Sequence, residues 1–129
     1  MKKMISALSF FIILSSCENA QEKAFETLNE EVMSLHDNIM PKTEDLVTLK
    51  SKLDSLSKGP DSIHVKRIQL ALAKADESMM DWMHQYSLDS LEKMSIEDKI
   101  SYLRNQIGQL QSIEKLTDST ISAAHQYVK

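Results

Sequence analysis

The chain has 129 residues, with 15 Lys and Arg against 19 Asp and Glu, a formal charge of −4 and one cysteine. That length holds one domain. The acidic balance argues against nucleic acid and anionic lipid as electrostatic partners, and a lone cysteine excludes an intramolecular disulfide or a paired-thiol metal site.

The first segment reads as an address rather than a fold. Lys2 and Lys3 supply positive charge, and residues 5–14 supply an apolar run. About ten apolar residues fall short of the roughly 20 that span a bilayer, so residues 1–16 read as a signal peptide. The stretch Leu14-Ser15-Ser16-Cys17 resembles the lipobox of bacterial lipoproteins, an aliphatic and two small residues before an acylated cysteine. The resemblance implies that Cys17 opens the mature chain and carries its lipid chains, palmitate-like acyl groups that anchor firmly when several act together. A soluble secreted protein with an incidental cysteine is the alternative. Without Lys2 and Lys3 the mature chain carries 13 Lys and Arg against 19 Asp and Glu, a charge of −6. The expected location is the bacterial cell envelope, at the outer membrane, facing the periplasm or the cell surface. Glu18 alone does not select a leaflet.

Residues 17–24 read as the lipidated cysteine and a short polar tether, or as the fraying start of the first helix. From Phe25 a seam begins: Leu28, Val32, Leu35, Ile39, Leu46, Leu49, Leu53 and Leu56 follow at alternating three- and four-residue steps, with Lys42 in one seam position. Such spacing places all of them on one helical stripe. Pro41 lies inside it, where a proline normally breaks or kinks a helix. Counting in sevens from Val32 and Ile39 still lands on Leu46 and Leu53, and two independent helices have no reason to share a register. The expectation is one long helix kinked near Met40-Pro41, in preference to a break. Gly59-Pro60 supplies its stop.

Asp61 or Ser62 then caps a second helix with the stripe Val65, Ile68, Leu72, Ala75, Met79, Trp82 and Tyr86. Residues 87–94 form a connector with some helical character. Ser95 opens the third helix, with Asp98 where a capping-box Glu would stand. Its stripe runs through Ile96, Ile100, Leu103, Ile107 and Leu110, then Ile113, Ile121, Ala124 and Val128, diluted by Thr117 and Thr120. The fold expected for residues 25–129 is all-α, an antiparallel up-down-up three-helix bundle whose first helix is long and kinked at proline. A fourth apolar face is missing, so three helices close the core or the protein forms a homodimer.

Folding the first two helices about Gly59 brings Met33, His36 and Met40 level with Met79, Met80, Trp82, Met83 and His84. Thioethers with imidazole suit copper, above all Cu(I), because soft sulfur prefers a soft ion. Met33, His36, Met40, Met79, Met80 and Met83 are the candidate metal ligands. A haem held by His and Met is a rarer variant, and a methionine-lined cavity near the kink for a small apolar ligand is another. Against all three stands simple packing, since methionine fills irregular gaps; His36 then pairs with Asp37 or water at the rim. By the stripe count His84 points away from Met79 and Trp82.

Other chemistries find no residues. No paired Glu-x-x-His, Gly-x-Ser-x-Gly elbow, phosphate-binding glycine loop or His-Glu-x-x-His occurs. His125 offsets the dipole at the last helix end. Gly108 either lets helices approach or costs about 1 kcal/mol against alanine for nothing.

Val32-Met33-x-x-His36-Asp37-x-x-Met40-Pro41-Lys42, followed by Met79-Met80-Asp81-Trp82-Met83, resembles a set of small Bacteroidota lipoproteins. They have no assigned activity, and some carry the automatic label "viral A-type inclusion protein". The resemblance covers most of the mature chain and implies an envelope lipoprotein with a helical core. It carries over no catalytic or binding residues, and the label implies no viral function. The expected function is therefore non-enzymatic: a lipid-anchored helical domain that contacts an envelope protein. Copper binding at the methionine layer is the alternative.

Overall fold

The computed structural model describes the backbone of residues 12–128 and the side chains of residues 19–128. Most of the expected signal peptide, the Cys17 side chain and Lys129 lie outside the described residues. Four α-helices pack together, with no strand among the described residues: α1 (Ile12–Leu56), α2 (Ser62–Gln85), α3 (Leu88–Glu92) and α4 (Ile96–His125). None is long and apolar enough to cross a membrane among the described residues.

The 45 residues of α1 run unbroken through Pro41, giving a rod of about 67 Å at 1.5 Å per residue. Pro41 is exposed, and so is Asp37, the residue whose carbonyl lacks the N–H donor that a proline four residues on cannot supply. Helical backbone also covers residues 17–24, expected as a short tether. Ala20, Ala24 and the Glu, Gln and Lys between them favour helix without needing an apolar stripe. Gln21 Nε2 then donates to Glu97 Oε1 at 3.0 Å, tying this segment to the start of α4.

At the other end, the Gly59 N–H donates to the Leu56 carbonyl at 3.1 Å. Among the described residues no glycine has a positive φ, so the stop is a tight turn followed by Pro60 and not a left-handed cap. Asp61 occupies the cap of α2 without a side-chain hydrogen bond. Two serines do cap: Ser87 Oγ accepts from the Ser90 N–H, and Ser95 Oγ accepts from the Asp98 N–H at 3.2 Å.

The long helices α1, α2 and α4 pack pairwise on one another. Their core has two halves. One gathers Val32 and Ile39 with Met79, Trp82, Leu91, Leu103, Ile107, Leu110 and Ile113. The other gathers Leu46, Leu49 and Leu53 with Val65, Leu72, Ala75 and Ala124. Each fully buried Leu or Ile contributes roughly 1.5–3 kcal/mol of burial. Thr43, Thr117 and Thr120 are buried too. Thr117 and Thr120 thus continue the α4 stripe, which passes through them and leaves Ile121 half-buried. Lys42, in its seam position, places Nζ 2.6 Å from Asp118 Oδ1 and 3.5 Å from Glu114 Oε1.

Candidate functional site

The methionine layer begins on α1 beside the proline. Met33 and Met40, seven residues apart, share an edge of the helix, and His36 lies between them. On α2, Met79 and Met83 share the face that carries Trp82, while Met80 sits one step outward. The structure divides the candidate ligands between interior and surface. Met79 is wholly buried, Met40 and Met83 are half-buried against the first core half, and Met33 and Met80 are 43% and 37% exposed. His84 is exposed.

His36 is half-buried. Its Nδ1 lies 2.9 Å from Asp37 Oδ1. A carboxylate only accepts, so the Nδ1–H is the donor in this contact. The imidazole centroid is 6.0 Å from that of Trp82, tilted by 40°. Among the described residues no three His, Cys, Asp or Glu side chains gather, so a metal here would rest on thioethers plus this one imidazole.

Behind His36 runs a stack of rings, of which the α2 stripe announces Trp82 and Tyr86 but not Tyr102. Trp82 and Tyr86 stack at 4.9 Å, and Tyr86 and Tyr102 at 6.1 Å. Trp82 and Tyr86 are four residues apart on α2, hence neighbours on one face. Tyr102 is brought by α4, whose start at Ser95 fixes its height; counting from that cap was the available signal. Tyr102 Oη accepts from the Ser87 N–H at 3.4 Å. Trp82 Nε1 and Tyr86 Oη are buried without a partner among the described residues. Burial, with Tyr102 nearby, holds the Tyr86 phenol above its ordinary 10.0.

Next to this layer the edge shared by α1 and α2 opens into a groove of about 180 Å³, lined by Leu46, Val47, Lys50, Leu72, Ala73, Asp76 and Glu77. A shallower depression follows the outer face of α4 along Arg104, Gly108 and Ser112. Gly108 faces open space, with nothing within 4 Å of an added Cβ, so close helix approach is not its role. No family model, curated protein or solved structure matches the chain.

Proposed function

We propose that the chain is a lipid-anchored envelope protein, held at Cys17, whose helical domain works through protein contacts and not by catalysis. The observation that carries it is apolar surface in register. Met33 and Val47 on α1 and Met80 on α2 stay exposed at 43%, 60% and 37%, on helices whose inner stripes, Leu56 apart, are taken up by the core. The arrangement inferred is an up-down-up three-helix bundle with α3 as connector. Gln21 meets Glu97 and Lys42 meets Asp118, equal steps that support parallel α1 and α4. Lys50 meets Gln69 while His36 meets Trp82, an opposed order that supports antiparallel α1 and α2. Thr43 Oγ1 donates to the Met40 carbonyl at 2.7 Å, a back-bond that favours a bend of α1 at Pro41.

Helix through residues 17–24 means that Cys17 lies about 6 Å of helix rise before Gln21. An anchor there stands the bundle directly on the membrane at the end where α4 begins. The test is fractionation of cells making the full chain, with intact-mass analysis. A mature protein starting at Cys17 with added acyl mass in the membrane fraction, released by Cys17→Ser, is expected. A soluble product with free Cys17 would refute the anchor.

Copper is the second reading. The His36–Asp37 contact is the rim pairing that simple packing anticipates, and it is equally the carboxylate support that a metal-ligating histidine usually has, so titration has to separate the two. Cu(I) competition against a chelator, with His36→Ala and Met83→Leu alongside, tests it. Stoichiometric binding lost in both variants would make the layer a metal site. No binding above the chelator returns the methionines to packing.

A further inference from the structure

The groove between α1 and α2 has a definite pattern. Met33, Met40 and Val47 repeat every seven residues along one edge of α1, and Ala73 and Met80 do so along the facing edge of α2. Val47 and Ala73 line the same groove. The strip is thus apolar, rich in flexible methionine, and open on the side that α4 does not cover. Methionine surfaces adapt to varied apolar helices. The rim is mainly acidic: Asp37 and Glu44 are exposed on α1, and Asp76 and Glu77 line the α2 side, with Lys50 in the lining and Lys66, seven residues before Ala73, both towards one end.

An apolar strip between carboxylate rims fits a helix that carries an apolar stripe between cations. A second copy would bring Asp37, Glu44 and Glu77 against their own kind, in a mature chain already at −6. Anionic lipid is repelled for the same reason. We propose that the α1/α2 groove docks a basic amphipathic helix of a partner protein, which would lie in it as a fourth helix of the bundle. The inference rests on the reading above that this domain acts through protein contacts.

The test uses the full chain in nanodiscs of zwitterionic lipid, with empty discs as reference. The probe is a fluorescent Leu/Lys peptide of about five helical turns with leucines at three- and four-residue spacing. A Leu/Glu peptide of the same pattern is the control. Binding of the Leu/Lys peptide alone is expected, weakened at least tenfold by Val47→Lys or Met80→Lys and by Glu44→Lys with Glu77→Lys. These positions are exposed or on the rim, so the fold tolerates them. Ser112→Lys, at an exposed serine on the outer face of α4, should leave binding unchanged.

Equal binding by the Val47→Lys protein, or equal affinity for the Leu/Glu peptide, would overturn the proposal. So would a dimer of the chain that Val47→Lys dissociates, which would make the occupant a second copy. Binding of the protein to anionic vesicles in place of the peptide would make it lipid. If the peptide fails while protein crosslinks form in cells from another face, the groove is wrong and the protein-contact reading stands. If no face yields a protein crosslink either, both fall.

Discussion

Two threonines on α4 give different expectations for the same isosteric change. Thr117 is 0% exposed, and its Oγ1 has no partner among the described residues. Thr120 is 4% exposed, and its Oγ1 donates to the Leu116 carbonyl at 2.6 Å. Valine has nearly the shape, the β-branching and the helix propensity of threonine, so Thr→Val isolates the hydroxyl. A buried hydroxyl without a partner costs about 1–3 kcal/mol, so Thr117→Val should stabilise by about 1 kcal/mol or more. At Thr120 the change removes a hydrogen bond worth about 1 kcal/mol and gains a buried methyl, so the net should stay within about 0.5 kcal/mol of the parent. Urea unfolding followed by helical circular dichroism and by the fluorescence of buried Trp82 reads both, provided the m-values agree. A Thr117→Val protein less stable than the parent would refute the reasoning. It would mean that the hydroxyl has a partner, such as a buried water between the two core halves.

Gly108→Ala should stabilise by about 1 kcal/mol, because the position is helical, exposed and open, and should raise Tm by about 4 °C. Lys42→Met should cost about 0.5–1 kcal/mol at neutral pH through loss of the half-exposed pair with Asp118 and Glu114. The Asp118 hydrogen bond holds the Lys42 proton in the folded state beyond the ordinary 10.5. Its contribution is therefore complete below pH 10.5 and fades as pH rises through the folded value, so parent and Lys42→Met should converge there in an alkaline unfolding series. The Tyr86 phenol, raised by burial, has the same sign, so Tyr86→Phe should flatten the parent's loss of stability above pH 10.0. Ser95→Ala should cost about 1 kcal/mol by removing the cap of α4, measured by the same unfolding.

The helical class and the inner faces of α1 and α2 were legible because three- and four-residue spacing has a single geometric meaning. The phase kept across Pro41 already argued for one continuous helix, and one helix is what forms. The first turns were less legible: the apolar seam marks Phe25, whereas helix already covers residues 17–24, where Ala20 to Ala24 favour it without any stripe. Thr117 and Thr120 look like dilution to a hydropathy count, yet they lie in phase with Leu110, Ile113 and Ala124 and are buried between the core halves. For the candidate site, counting from the hairpin set His36 level with Trp82, and these rings do meet. The division of the methionines was legible in part: Met79 lies on the α2 stripe and Met80 does not, whereas Met33, Met40 and Met83 lie off the stripes and only tertiary packing fixes how far each is covered. The Lys42–Asp118 pair joins helices far apart in sequence, and no local pattern signals it.

The most direct test places a photocrosslinking side chain at Val47, in the groove, and at Ser112, on the outer face of α4, in cells making the full chain. A distinct heteromeric adduct from Val47 and not from Ser112, in the membrane fraction and lost with Cys17→Ser, is the expected result. A Val47 protein that fractionates as soluble, forms no adduct, or crosslinks only to itself would contradict a lipid-anchored domain acting through protein contacts.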